Sequence, residues 1–301
     1  MDFTLTEAQR ELAALTRKIL DSSDTPWLDL VKSGVVPEDP AELGVLEQCS
    51  VLVELGRAVS DVPYLPTAVA AAALAEFGTP EQRRFAPGTV LSVALTESGG
   101  VLTTVPFART ASAFLVARGD EVLLVDANQL EITPQELVDG SEAGTFAATG
   151  GDVVPGLSPD WLITRYTLGL CALQLGVTER ALELTAEYAR TRVQFDRPIG
   201  SFQAVAQRLA DAYIDVAAIR LTLWQAAWRL SEGLDAAEEV ATAKFWAADG
   251  GHRVAHTAVH VHGGTGIDMS HDVHRYFTAA KRNEFELGGA TAQLLKLSAT
   301  W

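Results

Sequence analysis

The chain has 301 residues, a formal net charge of -16 and 48% hydrophobic residues. Such a composition describes a folded globular protein, and its negative field argues against broad contact with nucleic acid or an anionic membrane. Cys49 and Cys171 sit far apart in apolar surroundings, as in a reduced cytoplasmic chain rather than a disulfide framework. The N-terminus lacks an apolar signal core, and the longest apolar stretch, Ala68 to Ala75, is too short to span a bilayer.

Three zones follow in order. Residues 1–88 read as helices: Thr6 is a candidate N-cap ahead of Leu12, Leu15 and Ile19, and helices are expected over Leu43 to Val59 and Thr67 to Phe77. Residues 89–158 change to short β-branched and apolar runs, VLSVALTE, AFLVAR and EVLLVD. The last two, joined by Arg118-Gly119-Asp120, predict a hairpin within a reduced sheet or barrel. Residues 159–301 return to helical spacing over Trp161 to Thr191, Ser201 to Glu232, Asp235 to His262 and His271 to Phe285, with Ser201, Asp235 and Ser270 as candidate N-caps. The expected fold is mainly α, with N-terminal helices, a small β domain and a C-terminal four-helix bundle.

The chemistry concentrates in two motifs of the last zone. ARTRVQFDRPIGSFQ (Ala189 to Gln203) reads as a helix end, a Pro-Ile-Gly turn and a second helix start, with Arg192 and Phe195 on nearly one helix face. An arginine there can clamp a phosphate while the phenyl ring shields one side of the contact. Arg190, Arg192, Arg197 and Arg208 form the densest basic cluster, which as a bland alternative is a solvated helix face. In HVHGGTGI (His260 to Ile267), the Gly263-Gly264 pair lets backbone approach a ligand closely. Together the motifs read as half of a dinucleotide site built on helices.

With these motifs in this order, nearly the whole chain resembles the acyl-CoA dehydrogenase family. The resemblance implies FAD as cofactor and α,β-desaturation of an acyl-CoA thioester, a carboxylate removing the α-proton while hydride leaves to the flavin. It also implies that Arg192, Phe195, Gln203, Gly263, Gly264 and Gly266 contact the ADP half of a flavin held mostly by a neighbouring subunit. His260 stands where relatives usually carry Gln and keeps one hydrogen-bond donor.

Other family features are missing. The usual glutamate base falls at Leu287 when counted from the double glycine, or at Gly289 when counted back from Thr291-Ala292-Gln293. The alternative base position, on the first bundle helix, holds Tyr166, a phenol with an unperturbed pKa of about 10. Thr96-Glu97-Ser98-Gly99-Gly100 replaces a longer flavin-contacting element, and no Trp lies between residues 28 and 160. Glu97 itself is not expected to be catalytic. This half-kept pattern resembles the short, non-catalytic subunit of heteromeric (α2β2) acyl-CoA dehydrogenases of bacterial steroid side-chain degradation. The implied partner is a full-length dehydrogenase subunit, with acyl-CoA bound in the assembly.

Two alternatives stand beside that reading. One is a self-sufficient homo-oligomer using Glu284 or Glu286 as a displaced base; the other is a scaffold or acyl-CoA-binding protein without redox chemistry. His252, His256 and His260 share a helix face, yet no metal is expected, because no glutamate follows the first histidine as in zinc-protease helices. Trp224, Trp228 and Trp246 are read as core or interface residues.

Overall fold

A computed structural model describes residues 4–299. Residues 1–3 and 300–301, at the outer ends of the expected zones 1–88 and 159–301, lie outside the described residues. In chain order the helices α1 (Glu7–Ser22), α2 (Pro26–Lys32), α3 (Val45–Ala58) and α4 (Tyr64–Phe77) come first. Eight strands follow: β1 (Leu91–Ala94), β2 (Glu97–Ser98), β3 (Val101–Pro106), β4 (Ala113–Arg118), β5 (Glu121–Asp126), β6 (Thr133–Glu136), β7 (Glu142–Phe146) and β8 (Asp152–Val153). After α5 (Pro159–Thr191) come two short strands, β9 (Val193–Gln194) and β10 (Arg197–Pro198). The chain then forms α6 (Gln203–Ser231), α7 (Ala237–His262), α8 (Asp272–Phe285) and α9 (Ala290–Ser298). No helix among the described residues is long and apolar enough to cross a membrane.

The elements group into two compact units that cut across the three zones read from sequence. One contains residues 7–51 and 61–169; the other contains 52–60, the described part of 170–301, and residues 4–6. In the first unit the β elements form two four-stranded sheets, ordered β1-β4-β5-β8 and β2-β3-β7-β6. Leu102, Val105 and Phe146 of one sheet share a core with Ala94, Phe114 and Val125 of the other. The Phe114 and Phe146 rings meet at 4.7 Å. The predicted hairpin is present: Arg118 pairs with Glu121 across a two-residue turn, and Gly119 supplies its positive φ. β1 pairs parallel to β4, and α4 is tied to it because the Thr67 hydroxyl donates to the Leu91 carbonyl at 3.0 Å.

The second unit is built around α7, which packs against α6, α8 and α9. Alanine and glycine line its buried faces (Ala243, Ala247, Gly250, Gly251, Ala255, Ala258), so its neighbours approach closely. Arg253 of α7 forks onto both carboxylate oxygens of Asp215 of α6, at 2.6 and 2.9 Å. The four expected helices, the first three of them long, are all present, and α9 is an additional short one.

Three of the expected N-caps are corrected. Helix α6 starts after Phe202, and Ser201 donates instead to the Pro198 carbonyl at 2.7 Å. Asp235 accepts from the Ala237 amide at 3.1 Å, one position before the cap residue Ala236. At α8 the cap is His271, whose Nδ1 accepts from the Val273 amide at 3.3 Å, while Ser270 turns to Asp268. In each case local turn hydrogen bonding competed successfully for the hydroxyl or carboxylate.

Within this unit α3 and α5 touch backbone to backbone. A Cβ at Gly56 would lie 2.1 Å from the Leu173 carbonyl oxygen, and one at Gly176 would lie 2.0 Å from that of Val53. Arg57 locks the crossing by donating to Glu179 at 2.9 Å and to Glu183 at 2.8 Å. Because the obstructing atoms are backbone, Gly176→Ala must push the helices apart. We expect it to cost about 3 kcal/mol or more, measured by chemical denaturation.

Candidate functional site

The first motif takes a different local form from the expected helix face. Helix α5 ends at Thr191, and the chain turns into a miniature hairpin in which Arg197 pairs with Gln194 and Pro198 with Val193. The two residues between them, Phe195 and Asp196, have φ of 52° and 63°. Left-handed φ at both central positions is the mark of a type I′ turn. Arg192 is therefore at the root of the hairpin and Phe195 at its tip, rather than side by side on a helix. The run Gln-Phe-Asp-Arg lacks the usual Asn-Gly signal, so the turn was not legible from propensity.

The hairpin root is fixed by backbone bonds. The Arg192 amide donates to Tyr188 at 2.8 Å, and the Ile199 amide donates to the Arg192 carbonyl at 2.9 Å. The Phe195 side chain is 85% exposed and sits edge-on to Phe202 at 6.1 Å. Arg197 lies 4.2 Å over the Phe202 ring. Arg192 is exposed, and its guanidinium forms no ion pair among the described residues. Gln203 is the first residue of α6 and is exposed.

The second motif lies at the C-terminus of α7. Gly263 caps the helix with φ 63°, a conformation that disfavours any side chain, and a 3₁₀ turn spans Gly263–Ile267. A Cβ at Gly263 or Gly264 would meet nothing within 4 Å, so both present open backbone. Gly266 is different: a Cβ there would stand 2.7 Å from the Val259 carbonyl, so this glycine serves close packing within the chain. His260 is exposed one turn earlier.

A ring contact joins the two motifs. Tyr188, in the last turn of α5, stacks on His262, the last residue of α7, with centroids 4.3 Å apart and planes 24° from parallel. The stack sets the arginine hairpin and the glycine loop at the same end of the unit. Neither residue was singled out from sequence, although Tyr188 precedes Arg192 by one helical turn and His262 directly precedes Gly263. This end has an open cradle at Gly263 and Gly264, an outward cation and an outward aromatic ring. Those are features that fit the phosphate-bearing half of a dinucleotide.

At the positions read as vacant bases, Leu287 occupies the link between α8 and α9 with φ 57°. Gly289 is the N-cap of α9. Gln293, buried, holds this link by donating from Nε2 to the carbonyls of Leu287 at 3.2 Å and Gly288 at 3.0 Å. Beneath it Lys244, fully buried, donates to the terminal carbonyls of α8, Asn283 and, at 3.4 Å, Glu284. Burial pulls this ammonium below its usual range, opposed mainly by the Cys171 thiol and the carboxylates of Glu286 and Glu284. The Glu284 carboxylate is bound to Lys281 Nζ at 2.6 Å and His252 Nδ1 at 3.1 Å. Glu286 pairs with Arg282 at 3.4 Å. Tyr166 is buried in α5 of the first unit. Glu97 is exposed on the two-residue strand β2.

The histidine face also resolves into local contacts. His252 and His256 rings lie 4.3 Å apart, with Phe277 edge-on to His256 at 5.3 Å. Trp224, Trp228 and Trp246 are all half-buried.

His262 is the titratable group of the motif junction. Its pKa is held below the usual imidazole range, chiefly by burial and further by His271, while the bond between Nδ1 and the Ala258 carbonyl at 2.8 Å opposes the shift. The folded state thus binds fewer protons at this site than the unfolded chain. Its stabilising contribution is complete above about pH 6.5 and is lost as pH falls from there through the depressed folded value. His262→Phe keeps a ring against Tyr188 but cannot titrate. Urea unfolding at about pH 7 and about pH 5 should show a smaller acid loss in this variant than in the wild type.

Residues 163–300 match the family model described as the C-terminal domain of acyl-CoA dehydrogenase. The chain is 44% identical to the acyl-CoA dehydrogenase FadE27 of Mycobacterium tuberculosis, over 99% of this chain and 98% of that protein. Among solved structures it resembles a chain of the ChsE4-ChsE5 complex from Mycobacterium tuberculosis, with TM-score 0.91 and 43% identity, covering 99% of this chain and 98% of the other. It likewise resembles a chain of the Tcur3481-Tcur3483 steroid ACAD, with TM-score 0.91 and 34% identity over 98% of both chains. With 44% identity along almost its whole length, the chain belongs to the acyl-CoA dehydrogenase family.

Proposed function

We propose that this chain is the clamp-bearing subunit of a heteromeric, FAD-dependent acyl-CoA dehydrogenase. In this reading it completes the flavin site of a full-length partner and has no catalytic base of its own. The observation that carries it is the outward presentation of Arg192, Phe195 and the Gly263-Gly264 backbone at one end of the unit. Side chains that served only this chain's own packing would be paired or covered. The likeness to chains of two-component complexes, one of them described as a steroid ACAD, supports the heteromer and a steroid side-chain thioester as substrate class. An α2β2 assembly in the cytoplasm is the expected form, consistent with two buried free cysteines.

The residues divide the work as follows. Arg192 would offer its fork of N–H groups to the diphosphate, and Phe195, at the hairpin tip, would present its ring to the same dinucleotide. Gly263 and Gly264 would admit the ADP moiety against bare backbone, with His260 and Gln203 as flanking polar groups, while Gly266 keeps the loop packed on α7. When bound, FAD supplies the hydride acceptor for α,β-desaturation of the acyl thioester. Proton removal falls to the partner, because Leu287, Gly289 and Tyr166 offer no carboxylate. Glu284 is a poor substitute, since acting as a base would first require it to leave Lys281 and His252. Glu286 is similarly engaged with Arg282.

Co-expression with a full-length dehydrogenase from the same operon tests the assignment. We expect the chain alone to be colourless and the co-purified heteromer to be yellow, with about one FAD per pair of unlike chains. A yellow, active homo-oligomer of this chain would overturn the reading in favour of a displaced glutamate base. Arg192→Ala in this chain should weaken FAD binding by the heteromer by about tenfold to a hundredfold, measured by flavin fluorescence titration, without changing the mass of the assembly.

A further inference from the structure

We propose that the Tyr188–His262 stack is a clasp that sets the spacing between the arginine hairpin and the double-glycine loop, making both rings positioning residues for the dinucleotide clamp. The inference rests on the reading that this clamp receives a flavin dinucleotide.

Each ring is tied directly to one motif. The Tyr188 carbonyl accepts the Arg192 amide at 2.8 Å, and the Arg192 carbonyl in turn accepts the amide of Ile199, so a shift of Tyr188 moves the hairpin root. His262 is equally bound to the other side. Its Nδ1 is fixed on the Ala258 carbonyl at 2.8 Å, the Gly263 amide caps the same helix turn, and Gly266 packs close beneath its Cβ. The His271 ring, which caps α8, lies 5.3 Å from the His262 ring.

The hairpin alone cannot set this spacing. It contains only two residue pairs, and a ribbon that short is marginal without outside support. The loop has two open glycines with few restraints of their own. A stacked aromatic pair supplies a fixed separation with little side-chain freedom to lose. Val193, Phe195, Ile267 and Met269, with exposures of 53, 85, 70 and 80%, lie on the two segments that the stack holds together. The clasp therefore aligns the apolar rim along with the phosphate-binding groups.

The experiment uses Tyr188→Leu, which keeps bulk but removes the ring, and Tyr188→Phe, which keeps the ring. Amide hydrogen exchange on the chain alone should show the Leu variant speeding exchange at Ile199 and Gly263 together, by about threefold to tenfold, while the Phe variant follows the wild type. Acceleration on one side only, or on neither, overturns the clasp. In the heteromer, Tyr188→Leu should raise the dissociation constant for FAD by a similar factor with the assembly mass unchanged, and Tyr188→Phe should restore it. Unaltered FAD affinity beside altered exchange overturns the cofactor role. A wild-type heteromer that takes up no FAD sinks the functional reading and that role together, and the exchange pattern separates this result from failure of the clasp itself.

Discussion

Two glycines decide how closely α3 and α5 can approach, and much of the second unit depends on that distance. With Gly56 facing the Leu173 carbonyl and Gly176 facing that of Val53, the helices meet at backbone contact. Arg57 can then reach Glu179 and Glu183, while its own carbonyl accepts the Tyr276 hydroxyl of α8 at 2.8 Å. Glu179 also binds Arg220 of α6 at 2.7 Å. One close crossing thus ties four helices, three of them through charge pairs and α8 through a hydroxyl bonded to backbone. Charge pairs of this kind contribute by specifying a unique arrangement as much as by net energy, because desolvation offsets part of their attraction.

A second constraint operates at the other end of the helices. Lys244 is a buried cation set against the carbonyl end of α8, where the helix dipole and unpaired carbonyls favour positive charge. This fixes where α8 stops, and Gln293 fixes the link that follows. The link carries Leu287 in the left-handed region, a conformation that costs a non-glycine residue about 1–2 kcal/mol. The backbone around Leu287 and Gly289 is therefore held by buried polar groups, although neither residue has an ionisable side chain.

Much was legible in the sequence. Periodicity placed the long helices, β-branched runs placed the sheet zone, and the arginine and double-glycine motifs marked two segments that the fold brings together, because each of these signals is local. The absence of a carboxylate at residues 287 and 289 could also be read directly, since residue identity alone decides it. What only the tertiary structure decided depends on atoms distant in sequence. Whether Ser201 or Ser270 caps a helix turns on competing bonds to Pro198 and Asp268. Whether Arg192 and Phe195 share a helix face depends on two residues adopting positive φ, against their propensity, in a hairpin supported by Phe202. That the two motifs meet depends on Tyr188 touching His262 across seventy-odd residues of chain. Sequence determined which groups this protein has to offer; packing determined which of them face outward together, because side-chain direction is set by long-range contacts that no local pattern encodes.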